Sequence, residues 1–246
     1  AGVETIGVET SSVATTTDAV NGLGSYHGKL FAAGGLQSKG LFAYQVSSGN
    51  WGQGLLPQAG GQYAEQATFM VPFHGRFFMA TTAPVGSGDC RLYMTSSTTP
   101  SSGDWTEVSG TGFSAQVGVQ TNMAVSCLAV FQDRLVAGTK DPGYLLCTVD
   151  GNAATWSLVG GFPPANAHVT ALGVWNGALF AGLKQNGVAA LYSSPDLSTW
   201  TPMTTDGFGD GNNTEVTSME VTGPFLLVSV KNPSTGAQVW TIKSQD

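Results

Sequence analysis

The chain has 246 residues, of which 34 are Gly and only 10% are Asp, Glu, Lys or Arg, and it carries a formal net charge of -7. Nine basic residues scattered singly cannot form a stripe that tracks phosphates, which argues against nucleic acid as a partner. No apolar run approaches the length of a membrane-spanning segment, and none sustains the 3.6-residue period of an amphipathic helix, so residues 1–246 read as one all-β domain.

In chain order, the first feature is a spare extended segment, Val3-Glu4-Thr5-Ile6-Gly7-Val8, with no hairpin partner nearby. Five hairpins follow, turning at His27-Gly28, His74-Gly75, Gln132-Asp133, Asn176-Gly177 and Thr222-Gly223. Short turn-prone pairs between β-prone runs are the strongest local hairpin signal a sequence offers. Taking Leu30, Phe77, Leu135, Leu179 and Leu226 as equivalent gives spacings of 47, 58, 44 and 47, each long enough for four strands. The long second interval holds two Gly/Ser/Pro-rich insertions, Pro84 to Asp89 and Ser96 to Asp104, which place the extra residues in loops.

Within each repeat the first strand carries a large apolar residue at one aligned position: Leu23, Met70, Leu128, Leu172 and Met219. The second strand carries a small one: Ala33, Ala80, Gly138, Gly182 and Ser229. That combination suits sheets stacked face to face at about 10 Å, where one sheet leaves room for its neighbour's side chains. Fourth strands begin at Trp51, Trp105, Trp156 and Trp200, and only the fifth repeat lacks one. A five-bladed β-propeller of four-stranded antiparallel blades follows, its last blade closed by the N-terminal strand. A β-sandwich accounts for the strand number but not for the Trp spacing.

Several residues are candidates for function. The loops leading into the inner strands pair aromatics with neutral hydrogen-bonding groups: Tyr63, Phe113, Phe162 and Phe208, with Asn122, Asn166, Asn212 and Asn213. Aromatic stacking and amide contacts are the chemistry of carbohydrate recognition, so a glycan or other neutral polar ligand is the expected partner, without catalysis, cofactor or metal. The alternative is glycoside hydrolysis, which needs two carboxylates across the funnel; the inner strands offer Asp18, Glu65, Glu215 and Glu220. A structural propeller presenting its faces to a protein partner is the third possibility. His27, His74 and His168 do not have the spacing of a compact ligand cluster. Cys90, Cys127 and Cys147 form an odd set and read as small buried hydrophobes. Asn212-Asn213-Thr214 fits an N-glycosylation acceptor.

The turns from Thr148 to Trp156 and from Ser193 to Trp200 resemble degenerate Asp-boxes, the Ser/Thr-x-Asp-x-Gly-x-Thr-Trp hairpins of sialidase-like (BNR) propellers and secreted bacterial repeat proteins. The phrase Asp206 to Thr217, followed by Gly236 to Trp240, is similar to the bacterial repeats, and the size and repeat number are similar to tachylectin-like five-bladed lectins. The resemblance implies a structural role for Asp150 and Asp196, away from any catalytic face. A sialidase would need a converging arginine triad, whereas Arg76 and Arg134 share one hairpin position in two repeats and read as solvent-facing turn residues. An Ala-Gly start and a Ser/Thr/Gly-rich, Lys-poor composition are expected of a processed extracellular or cell-surface protein.

Overall fold

The computed structural model describes residues 20–34, 40–45, 50–55, 58–59, 62–63, 66–82, 91–110, 112–114, 118 and 124–243. They form a five-bladed propeller. Blade 1 is β1 (Val20–Tyr26), β2 (Lys29–Gly34), β3 (Gly40–Gln45) and β4 (Asn50–Leu55). A short hairpin, β5 (Gln58–Ala59) with β6 (Gln62–Tyr63), leads to blade 2: β7 (Gln66–Phe73), β8 (Arg76–Thr82), β9 (Arg91–Thr95) and β10 (Thr106–Glu107). Blade 3 is β11 (Ala124–Phe131), β12 (Arg134–Lys140), β13 (Leu145–Thr148) and β14 (Ser157–Leu158). Blade 4 is β15 (Ala167–Trp175), β16 (Ala178–Gln185), β17 (Val188–Ser194) and β18 (Thr201–Thr204), and blade 5 is β19 (Glu215–Thr222), β20 (Phe225–Lys231) and β21 (Gln238–Lys243).

Each blade is an antiparallel meander, and the first strands pack side by side in the order β1, β7, β11, β15, β19. The Val3 to Val8 segment expected to close the ring lies outside the described residues. Trp105, Trp156 and Trp200 stand one residue ahead of their fourth strands, whereas Trp51 falls inside β4.

The first hairpin turns behave as their sequences require. His27-Gly28, His74-Gly75, Gln132-Asp133 and Asn176-Gly177 all have positive φ at both central residues, from 47° to 75°. This is the turn whose twist matches that of the flanking strands. Side chains then stitch these turns across blades: Tyr26 OH donates to Gly75 O at 2.5 Å, His74 Nε2 lies 2.6 Å from Asp133 Oδ1, and Gln132 Nε2 donates to Pro195 O at 2.6 Å. Arg76 is not a solvent-facing turn residue. It reaches into blade 3, where Nη1 donates to Asn152 Oδ1 at 2.9 Å and Asp150 O at 3.3 Å, because its half-buried position faces a turn full of acceptors.

Stacking between blades explains the aligned large and small residues. A Cβ added at Gly24 would sit 2.6 Å from the Met70 Cβ, and one at Gly173 would sit 3.1 Å from the Met219 Cβ. The small second-strand residues do the same for the next blade: Gly182 abuts Val216, and Gly138 abuts Val169. Leu23 departs from its aligned partners and is 71% exposed. Cys127 and Cys147 are free and buried, with burial pushing the Cys127 thiol up to about 12; Cys90 lies outside the described residues.

The third-to-fourth strand turns of blades 3 and 4 are closed by their carboxylates. Asp150 accepts from the Thr155 hydroxyl and from Asn152 N at 2.9 Å, and Asp196 accepts from Thr199 N at 2.7 Å and Ser198 N at 2.8 Å. These donors hold both carboxyls down at about 2, against an ordinary 3.8. Since the folded chain prefers the ionised forms, the stabilisation is complete above the ordinary carboxylate range and is lost as pH falls through about 2. Acid unfolding should therefore show a shallower loss of stability below pH 3.8 in Asp196→Ala than in the parent chain, and equal slopes would refute the assignment.

Candidate functional site

A meander puts the first-hairpin turns and the third-to-fourth turns on one face of the ring, and the lead-in loops and second-to-third loops on the other. The second face, the mouth, holds two cavities among the described residues.

At the axis, a cavity of about 360 Å³ is lined by the start of the inner strands of blades 2 to 5. Its walls carry Thr68 and Phe69 from β7, Ala124 to Ser126 from β11, Thr170 from β15, and Glu215 to Thr217 from β19, with Lys140 at the end of β12. The polar members arise from a repeated irregularity. The ladder between first and second strands shifts by one residue at Asn21, Thr68, Ser126, Thr170 and Thr217, always two residues before the aligned Leu or Met. A β-bulge leaves that residue unpaired and re-aims its side chain. The hydroxyls are engaged internally: Thr68 donates to Ala80 O at 3.4 Å, Ser126 to Gly138 O at 3.1 Å and Thr170 to Gly182 O at 3.0 Å, while Thr217 Oγ1 lies 2.7 Å from Ser229 Oγ and 3.2 Å from Ser229 O. Glu215 lies 3.4 Å from Lys231 Nζ, its ladder partner.

The sequence held signals for this site that the aligned apolar residues obscured. A polar residue stands two before the large one in all five repeats, and Lys140, Lys184 and Lys231 each stand five after the aligned Leu of the second strand.

Glu220 does not join Glu215 here. Glu220 is exposed, pairs with Leu227, and occupies the station held by Gly24 and Gly173, so it lies on a sheet face between blades and not beside the axis. Five residues of strand separate it from Glu215, about 16 Å, which is too far for one glycosidic bond to be flanked by both. Asp18 and Glu65 lie outside the described residues.

A larger cavity, about 830 Å³, opens at the mouth between blades 3 and 4, lined by Asp141 to Tyr144 and Leu158 to His168. Here His168 Nδ1 lies 3.2 Å from Asp141 Oδ1. Asn166 is exposed at its rim with φ 58°. Phe162 is turned inward: it is buried and its ring stacks on Trp200 at 3.7 Å and 9°. The same arrangement recurs in blade 3, where buried Phe113 meets Trp156 edge-on at 5.1 Å, and in blade 5, where Phe208 stacks on Trp240 at 5.3 Å. Phe113, Phe162 and Phe208 each seal the blade they enter, since an apolar ring gains more by burial there than at a wet rim.

Asn213 is fully buried, donating to Gly207 O at 2.8 Å and accepting from Asn232 Nδ2 at 3.0 Å. Asn212 is exposed, its amide nitrogen donating to Asp210 Oδ1 at 2.9 Å. Tyr63 falls in β6, and Asn122 lies outside the described residues. Among the described residues no group of His, Cys, Asp and Glu could hold a metal ion, and no helix is long and apolar enough to cross a membrane.

No family model and no curated protein matches the chain. Among solved structures it is similar to an extracellular domain assigned to a hybrid two component system of B. thetaiotaomicron, with TM-score 0.64 and 13% identity over 92% of this chain and 27% of that one. It is also similar to exo-beta-1,3-galactanase from Phanerochaete chrysosporium with beta-1,3-galactotriose, with TM-score 0.55 and 12% identity over 91% and 60%. A GH43 beta 1,3 galactosidase with galactodeoxynojirimycin follows at TM-score 0.51 and 12% identity over 93% and 94%. The chain thus spans about a quarter of the first protein and three fifths of the second. At such identities what is shared is the fold.

These matches correct two expectations. The resemblance to Asp-box propellers and tachylectin-like lectins does not identify the family: the matched structures include GH43 and galactanase propellers beside the two component system's extracellular domain and a puromycin hydrolase. A hydroxyl, a carboxylate and a Trp at that spacing are a local solution open to any tight antiparallel hairpin. The reading as a carbohydrate-binding protein without catalysis also gives way, because glycoside-cleaving enzymes recur among the matched structures.

Proposed function

We propose that the chain is a glycoside hydrolase acting at the axial mouth, in an extracellular or cell-surface setting. The observation that supports this is the axial cavity, into which four blades deliver hydroxyls and β19 delivers the carboxylate of Glu215. Phe69, 38% exposed on the same wall, offers an apolar face for a sugar ring. Glu215 is one of the two carboxylates that glycoside cleavage requires, protonating the leaving oxygen or activating water. The second comes from Glu65, which directly precedes β7 in the sequence, or from Asp18, two residues ahead of β1.

The test is release of reducing ends from a panel of oligosaccharides headed by beta-1,3-galactan. Glu215→Gln should lower kcat by roughly 10²- to 10⁴-fold, the usual worth of a positioned acid or base. Glu65→Gln and Asp18→Asn then identify its partner by a loss of the same order. Absence of cleavage by the parent chain across the panel, or unchanged rates in Glu215→Gln, would overturn the proposal.

A further inference from the structure

We infer that the axial cavity is built for an acidic sugar, a uronate whose carboxylate is held by Lys140; the inference deepens the hydrolase reading and rests on the same site. The walls are unusual in their balance of donors and acceptors. Thr68, Ser126 and Thr170 each spend their hydroxyl proton on a main-chain carbonyl, so toward a ligand they offer lone pairs, and the Thr217 hydroxyl is engaged by Ser229. Glu215 likewise only accepts when ionised. A neutral sugar supplies hydroxyl donors to such walls and neutral oxygen acceptors to an ammonium, but no counter-charge.

Three lysines stand at this height; Lys184, in blade 4, does not line the cavity. Lys231 is 3.4 Å from Glu215 and offsets its charge. Lys140 lines the cavity, is exposed, and has no carboxylate within ion-pair distance among the described residues. Its ladder partner is Ala124, where the equivalent lysine of blade 5 faces Glu215, so the strand that positions Lys140 provides no counter-charge. A ligand rich in hydroxyls and carrying one carboxylate complements both features at once: donors for the ring of lone pairs, an anion for the ammonium.

Binding of tri-galacturonate and of galactotriose, measured by calorimetry on the Glu215→Gln chain so that turnover does not intrude, tests this. The acidic trisaccharide should bind more tightly, and Lys140→Met should lower the ratio of acidic to neutral affinity roughly tenfold, the loss of one charge-assisted contact. Lys184→Met, which removes the same charge from the equivalent station of blade 4 outside the cavity, should leave the ratio unchanged. Equal affinity for the two sugars, binding of neither, or an equal effect of both lysine substitutions would overturn the inference. Selective binding of the acidic sugar without any cleavage by the parent chain would sink the hydrolase reading and support this one; cleavage without acid preference would do the reverse.

Discussion

Phe77→Ala is expected to lower the unfolding free energy by about 3–5 kcal/mol, the cost of losing a large aromatic from a closed core. Phe77 is 0% exposed and joins two blades. Its ring stacks on Tyr26 of blade 1 at 5.2 Å and 9°, meets Phe31 at 4.8 Å, and presses against the backbone at Gly24, where an added Cβ would lie 3.1 Å from its tip. The cavity left behind would be lined by residues of two separate sheets, and neither can collapse without moving a whole blade. Denaturant unfolding should show a lower midpoint with an unchanged slope. A loss under about 1 kcal/mol would mean that blades 1 and 2 are not joined through this ring.

Gly182→Ala is the second large effect. An alanine in a strand interior normally improves on glycine by roughly 0.5–1 kcal/mol, because glycine loses more freedom on folding. Here the new Cβ would sit 2.4 Å from Val216 Cγ1 and 2.6 Å from its Cβ, distances no packed methyl tolerates. Overpacking should prevail, with a net destabilisation of about 1–3 kcal/mol. The cause can be isolated with Val216→Ala, which opens the space that Gly182→Ala needs. The double variant should be more stable than the sum of the two single losses, by a coupling term of about 0.5–3 kcal/mol. Strict additivity would refute the claim that glycine is there to admit the neighbouring valine.

Blade number, hairpin turns and stacking were readable because each is written locally and repeated. Asn176-Gly177 fixes a turn by backbone preference alone, and Met70 facing Gly24 is a size match carried by two letters. The candidate site was harder to read. A β-bulge is a one-residue slip, so Thr170 and Thr217 look like the ordinary polar members of an alternating strand until the ladder shows them unpaired. Glu220 misled for the opposite reason: its odd identity at a glycine station is visible, but whether that station faces the axis or the next blade depends on pleat and twist. The loop aromatics Phe113 and Phe162 looked available for sugar stacking because their partners, Trp156 and Trp200, lie 43 and 38 residues further on. Arg76 is similar, since its acceptors at Asp150 and Asn152 belong to the next repeat.

The stitches between blades at Tyr26, His74, Gln132 and Arg76 all run across the turn face, opposite the mouth. The ring is thus bolted together along its floor, much as a barrel is held by a hoop at one end. Apart from the Asp141–His168 pair between blades 3 and 4, loops at the rim can then lengthen, shorten or change composition without loosening the joints.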